Sequence, residues 1–241
     1  MTCEYSHGRF WGANMNLADE QRKLYGYLYR QFGDDPRALF HCSQESQRER
    51  FEILARCFER ETGPFTVHEI GCALGHFDDF LHEHFPRAIF SGSEIYAPFV
   101  DHCRKRFPES KFFLRDITEE LPPDRYDYVI VGAGTFNIPG GAPRDQWQSF
   151  VYSMLSATYA MAKKGTAATF LTGYSDPGYE QPDLFYQDEK QIFDFAMRSL
   201  SRHVEIDDFG PLYEYALRVY RPEYVRVLYP QRAFEKYFRK K

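Results

Sequence analysis

The stretch Phe65-Thr-Val-His-Glu-Ile-Gly-Cys-Ala-Leu-Gly75 decides the fold. It begins as an apolar, β-branched run, which is typical of a buried strand, and then passes through an acid into small residues. The next segment carries apolar side chains at positions 77, 80, 81 and 85, the spacing of one helix face. The sequence therefore predicts a strand, a turn and a helix, in which backbone N–H groups at the helix start can hold an anion or a nucleotide-like ligand. Gly71 and Gly75 suit this turn, because side chains there would block a ligand or strain the backbone.

Strands and helices alternate along the rest of the chain. Further strands are predicted at 88–94, 111–115, 126–131, 166–171, 204–206 and 215–220. Helices are predicted at 17–31, 46–61, 76–85, 96–107, 144–163 and 190–200, with Gly165 as the stop after the fifth. Because such alternation builds right-handed βαβ units, we expect an α/β fold with a doubly wound, mainly parallel seven-stranded sheet and an antiparallel last strand.

The chain of 241 residues is long enough for one globular unit with a sizeable core. We expect an N-terminal helical cover over 1–62, the sheet domain over 63–222 and a basic C-terminal tail or helix over 223–241. In a doubly wound sheet the ligand crevice lies beyond the carboxyl ends of the strands, beside the first strand.

Charge and cysteine content narrow the class of partner. The net charge of −5 argues against nucleic acid as a partner. The sequence has no apolar run of about 18 residues, so we expect no membrane span. Five scattered cysteines without a Cys-x-x-Cys pair are typical of reduced thiols in a cytoplasmic protein. We expect no metal site, and either a monomer or a homodimer.

Four positions fall at the carboxyl edge of the predicted sheet. The glycine turn offers backbone contact to a cofactor, and Glu94 can accept hydrogen bonds from both hydroxyls of a ribose. Asp116 can accept from an exocyclic amine, while Ile117 can pack on a purine face. The small residues that begin at Gly132 leave room for the reactive end of a cofactor.

This pattern resembles the class I S-adenosylmethionine (SAM)-dependent methyltransferases. Their first motif, acid-x-Gly-x-Gly-x-Gly, is matched from Glu69 to Gly75, with Ala73 in the place of the middle glycine. A narrower resemblance, over about 26 to 220, is to a bacterial small-molecule subgroup and includes Phe32–Leu39, Ser43–Gln47 and Gly134–Asn137. The resemblance implies SAM as the cofactor, with Gln47 and Arg50 at its amino-acid end. The candidate cofactor-binding residues are Gln47, Arg50, Glu69, Gly71, Gly75, Glu94, Ile95, Asp116, Ile117 and Gly132.

Aromatic segments from both ends of the chain are expected to cover the acceptor. Residues 5–11 and the loops 135–143 and 173–187 bring them together, since aromatic rings line planar or apolar ligands and exclude water. The candidate catalytic residues are His7, Asn137 and Tyr186. The candidate substrate-binding residues are Tyr5, Trp11, Phe136, Tyr174 and Glu214.

The predicted function is methyl transfer from SAM to an oxygen or nitrogen of a small-molecule metabolite. Two alternatives stay open at this point: an NAD-dependent oxidoreductase of Rossmann type, and a SAM-binding scaffold without catalysis. Individual residues also have plainer interpretations. Asp116 can cap a helix, Arg50 can be a surface residue, and His7 can be an ordinary histidine in an N-terminal arm.

Overall fold

A mixed sheet is the centre of the protein, whose computed structural model describes residues 16–238. The strands are β1 (Phe65–Ile70), β2 (Ala88–Glu94), β3 (Lys111–Leu114), β4 (Tyr126–Val131), β5 (Ala162–Thr172), β6 (Tyr186–Gln187), β7 (Val204–Asp207) and β8 (Glu214–Tyr220). Their order is β3-β2-β1-β4-β5-β8-β7, and β6 pairs with the end of β5. Strands β1 to β5 are parallel, whereas β8 runs antiparallel to β5 and β7. The predicted α/β fold is confirmed, with the two-residue β6 as an addition.

Helices cover both faces of the sheet and its carboxyl edge. They are α1 (Leu17–Phe32), α2 (Gln44–Ala55), α3 (His76–His84), α4 (Ala97–Arg106), α5 (Arg144–Met161), α6 (Glu189–Ser199) and α7 (Pro222–Leu228). Short 3-10 segments lie at Pro36–Leu39, Arg56–Phe58 and Arg232–Tyr237. Within residues 16–238, no helix combines the length and apolar character that a membrane span needs.

Two helices, α2 and α5, differ from their predicted bounds by two residues or more. Helix α2 begins two residues early, because Ser43 and Ser46 form a reciprocal capping box, and it gives way to a 3-10 turn after Ala55. Gly165 was predicted to end the fifth helix, and this was wrong: α5 ends at Met161 and Gly165 lies within β5. A Cβ at this glycine would meet the ring of Tyr220 at 2.9 Å, so the missing side chain allows β8 to pack closely.

The core forms on both sides of the sheet because the central strands are buried on both faces. One cluster joins β4 and β5 to α5 and α6, and the other joins β1 and β2 to α2 and α3. Helix α1 lies outside these layers, at the carboxyl edge. Its side chains Gln21 and Arg22 donate to the backbone oxygens of Ile138 and Ile95 at 2.9 Å and 3.1 Å. Helix α1 therefore covers the crevice at the carboxyl ends of the strands.

Candidate functional site

A cavity of about 410 Å³, here called the first cavity, lies where β1, β2, β3 and β4 end and α1 covers them. This is the edge at which the sequence predicts a ligand crevice, and the volume is in the ordinary range of small-molecule sites. Seven of the predicted cofactor-binding residues lie on its wall. They are Gln47, Glu69, Gly71, Glu94, Ile95, Asp116 and Ile117.

The turn after β1 has the backbone that the glycine pattern predicts. Gly71 and Gly75 have φ of +73° and +74°, and Ala73 takes a left-handed φ of +46° without being glycine. Gly75 and Gly132 are not on the cavity wall. A Cβ on Gly75 would meet Phe107 at 2.7 Å, and one on Gly132 would meet the Gly71 oxygen at 2.3 Å. The absence of a side chain at both glycines therefore allows close packing on the side of the turn away from the cavity. The sequence had predicted both glycines as cofactor contacts.

Glu94 ties the end of β2 to the turn. Its Oε1 accepts from the backbone N–H groups of Ile95 and Tyr96 at 2.7 Å and 3.0 Å, and its Oε2 accepts from Ala73 at 3.0 Å. Burial raises the pKa of this carboxyl, and the three backbone hydrogen bonds partly oppose that shift. Oε1 already accepts two hydrogen bonds, whereas Oε2 accepts one and keeps a lone pair for a hydroxyl donor, as the predicted ribose contact requires.

Glu69 is the second buried carboxyl on this wall. Its Oε2 has no hydrogen-bond partner among the described residues, and burial raises its pKa well above the usual value. Two arginines also line the cavity, but Arg22 donates to Ile95 and Asp19, and Arg115 donates to Ser93 and Asp124. A cationic ligand group would satisfy Glu69 and restore its ordinary ionisation.

Asp116 and Gln47 line the first cavity and also hold local structure. Asp116 Oδ1 accepts from the backbone and the hydroxyl of Thr118 at 2.8 Å and 2.6 Å, as an Asx turn with no helix after it. The amide of Gln47 lies 3.1 Å from His76 Nδ1. Ile117, only 3% exposed, supplies an apolar surface next to Asp116. This combination suits a flat heterocycle with an exocyclic amine.

A second cavity, of about 220 Å³, lies beside the first and shares Leu39 and His41 with it. Three predicted substrate or catalytic residues line it, namely Asn137, Tyr186 and Glu214. Arg50, which the sequence predicted at the amino-acid end of the cofactor, lines this cavity and not the first. Its Nε is 2.8 Å from both oxygens of Glu214, and its Nη1 donates to His41 and to the Ser46 carbonyl. These partners turn the guanidinium away from the first cavity.

His41 is the residue of this region that the sequence interpretation missed. It is 3% exposed and lies at the junction of the two cavities. Burial lowers its pKa well below the usual value, and the Arg50 guanidinium lowers it further. It lies just after a 3-10 turn whose last residue is Leu39, outside any helix or strand, so no periodic pattern marked it.

Two further predicted site residues, Phe136 and Tyr174, line neither cavity. Phe136 is buried in the core and stacks on Phe170 with ring centroids 5.1 Å apart. Tyr174 is 69% exposed and lies on neither cavity wall. The predictions for Tyr5, His7 and Trp11 fall outside the described residues.

Comparison with known proteins agrees with this fold and with the resemblance in the sequence. No protein-family model matches the chain. A Mycobacterium tuberculosis protein named "Putative methyltransferase Rv1506c" is 27% identical over 157 residues, which are 65% of this chain and 93% of that protein. Trans-aconitate 2-methyltransferase of Escherichia coli is 26% identical over 105 residues, 44% of this chain and 41% of that enzyme.

Solved structures give the same class of fold. The crystal structure of magnesium protoporphyrin IX methyltransferase from Synechocystis, with bound S-adenosylhomocysteine (SAH), superposes with a TM-score of 0.60. The alignment has 16% identity and covers 85% of this chain and 97% of that one. The protein therefore has the fold of the class I SAM-dependent methyltransferases, as the sequence predicted.

Proposed function

We propose that the protein transfers a methyl group from SAM, held in the first cavity, to a small molecule held in the second. The observation that carries the proposal is the pair of buried carboxyls on the first cavity wall, Glu69 and Glu94. SAM brings two positive groups, an ammonium and a sulfonium, against one carboxylate. A wall with two buried carboxyls favours such a ligand, because buried charges are costly unless they are paired.

The same wall disfavours the alternative, an NAD-dependent oxidoreductase. The pyrophosphate of NAD carries two negative charges and needs a cation or free N–H groups close to the glycine turn. In this turn the Ala73 N–H is already donated to Glu94, and Gly71 and Cys72 donate to the Ser93 carbonyl. An anion placed there would meet two buried carboxyls and few free donors.

The two cavities suit a two-substrate reaction between small molecules. Their shared wall at Leu39 and His41 allows a cofactor and an acceptor to meet, and in-line methyl transfer depends chiefly on such placement. The Escherichia coli relative is named for a small organic acid and the Synechocystis enzyme for a porphyrin. A cavity of about 220 Å³ supports an acceptor of metabolite size.

Isothermal calorimetry with SAM, SAH and NADH tests the proposal. We expect SAM and SAH to bind and NADH not to bind. Glu94→Gln should weaken SAH binding by about tenfold or more, since hydrogen bonds to a charged group contribute about 1.5–3 kcal/mol. The matched control is Glu109→Gln, an exposed acid that lines neither cavity.

Two results would contradict the proposal in different ways. Binding of NADH without binding of SAM would favour the oxidoreductase. Binding of SAM without methyl transfer to any acceptor would favour the scaffold. Circular dichroism and melting temperatures of both variants separate a loss of cofactor contact from a loss of fold.

A further inference from the structure

The second cavity presents hydrogen-bond donors at its junction with the first. Arg50 Nη1 lies 3.0 Å from His41 Nδ1, and a guanidinium nitrogen can only donate. Nδ1 must therefore accept, and the single ring proton of neutral His41 is on Nε2. A ligand at the junction meets an N–H donor, because the other ring nitrogen is already occupied by Arg50.

Glu214, the carboxylate on this wall, is also hydrogen-bonded to Arg50. Both oxygens of Glu214 accept from Arg50 Nε at 2.8 Å, and Nη2 also donates to this carboxylate. The side chains are 13% and 5% exposed, so water does not compete for the pair. Neither of the strongest proton acceptors on the wall, His41 and Glu214, is free to take a proton from a ligand.

The hydroxyls of two tyrosines on the wall are also engaged in hydrogen bonds. Tyr186 accepts from the Gln181 N–H at 2.8 Å, which leaves its own hydroxyl proton to donate. Tyr213 donates to Asp176 at 2.6 Å, and this bond raises its pKa to about 12.

From this arrangement we infer that the acceptor is a small carboxylic acid, bound in the second cavity with its carboxylate at His41 Nε2–H. The inference rests on the proposed function and names its substrate class. A carboxylate oxygen carries no proton at neutral pH, so its methylation needs no base. The new C–O bond forms as the methyl–sulfur bond breaks, its electron pair stays on sulfur, and the products are a methyl ester and SAH. An alcohol or an ammonium would have to lose a proton, and no residue of this wall within 16–238 is free to take it.

The rest of the wall favours an acid with an apolar body. Leu171, Leu184 and Leu212 line the cavity together with its polar residues. At the junction, a Cβ on Gly134 would lie 3.8 Å from both His41 and the Asn137 amide, so these two side chains converge on one point. The Asn137 atom nearest that point is Nδ2, which donates, while its Oδ1 is buried without a partner among residues 16–238. An amide and an imidazole N–H can together hold the two oxygens of one carboxylate.

Matched sets of probes test the substrate class on the SAH-loaded protein. Hexanoate, phenylacetate and adipate are compared by calorimetry with the alcohols and amines of the same skeletons. We expect each acid that fits to bind about tenfold or more tightly than its alcohol and amine, because a charge-assisted hydrogen bond is the stronger kind. With SAM in place of SAH, mass spectrometry should find methyl esters.

Three outcomes would overturn the inference: no acid binds, the alcohols or amines bind as tightly as the acids, or only alcohols or amines are methylated. All three leave the proposed function standing so long as SAH binds. If SAH itself does not bind, the proposed function fails, and the two failures are thus distinguishable.

Variants of His41 test the donor directly. His41→Gln keeps an N–H close to the Nε2 position and should retain acid binding, whereas His41→Phe should lose the preference for acids. The matched control is His203→Gln, a half-buried histidine that lines neither cavity. If His41→Phe does not fold, 15N NMR of the free wild-type protein still decides, because a proton on Nδ1 instead of Nε2 would refute the arrangement.

Discussion

Replacement of Gly132 by alanine should damage the protein through one backbone contact. Gly132 directly follows β4, and its N–H donates to the Ile70 carbonyl of β1 at 2.7 Å. A Cβ there would lie 2.3 Å from the Gly71 oxygen and 3.3 Å from Glu69 Oε1. Because the closest atom belongs to the backbone, the turn itself must shift. Overpacking of this kind costs about 1–3 kcal/mol, and each kcal/mol lowers the melting temperature by about 2–4 °C in a chain of this size.

The matched control is Gly173→Ala. Gly173 follows β5 as Gly132 follows β4, but a Cβ there would meet no atom within 4 Å and its φ is not positive. Urea denaturation should show a clear loss of stability for Gly132→Ala and a change within about 1 kcal/mol for Gly173→Ala. Calorimetry should also show weaker SAH binding only for Gly132→Ala, because the displaced turn lines the first cavity. Equal stability and equal SAH affinity of the two variants would refute the contact.

Three further predictions concern strained or buried groups. Ala73→Gly should raise the free energy of unfolding by up to about 1 kcal/mol in urea, because glycine accepts the left-handed backbone that strains alanine; a loss would show that the methyl group packs productively. Glu69→Gln should stabilise the free protein, and the gain in stability should grow as pH rises. A carboxyl whose pKa is raised in the folded state contributes stability at low pH and loses that contribution as pH passes the folded-state pKa. Urea denaturation at two pH values checks the sign. Arg50→Met and Glu214→Met should each cost about 3–5 kcal/mol by stranding a buried charge, while the double variant should cost much less; additive losses in a double-mutant cycle would contradict the coupling.

The local sequence pattern was sufficient to predict the sheet and the position of the first cavity. The strand, turn and helix around Gly71 are coded within one continuous stretch, from Phe65 to His84, and Glu94 falls at the end of the next strand. In a parallel sheet the strand ends meet at one edge, so the topology alone brings these residues together. That is why most of the predicted cofactor residues lie on one wall.

The second cavity could not be predicted in this way because its contacts join distant parts of the chain. Arg50 and Glu214 are 164 residues apart, and no sequence motif around either residue indicates that they pair. His41 is placed by a left-handed residue, Phe40, after a 3-10 turn, and such local geometry has no period. Gly165 was misjudged for a related reason, since its role depends on the ring of Tyr220 from another strand.

Glu94 links the strain of the turn to the cofactor site. Its Oε2 accepts the N–H of Ala73, the residue that holds a left-handed backbone without the freedom of glycine. The carboxylate therefore stabilises a conformation that alanine disfavours, and Glu94 also lines the first cavity. Loss of Glu94 would release the turn and remove a ligand contact together, so a simple loss of SAH binding would not distinguish the two effects. In an Ala73→Gly background the turn no longer needs this support, and whatever loss of SAH affinity Glu94→Gln still causes there belongs to contact with the cofactor.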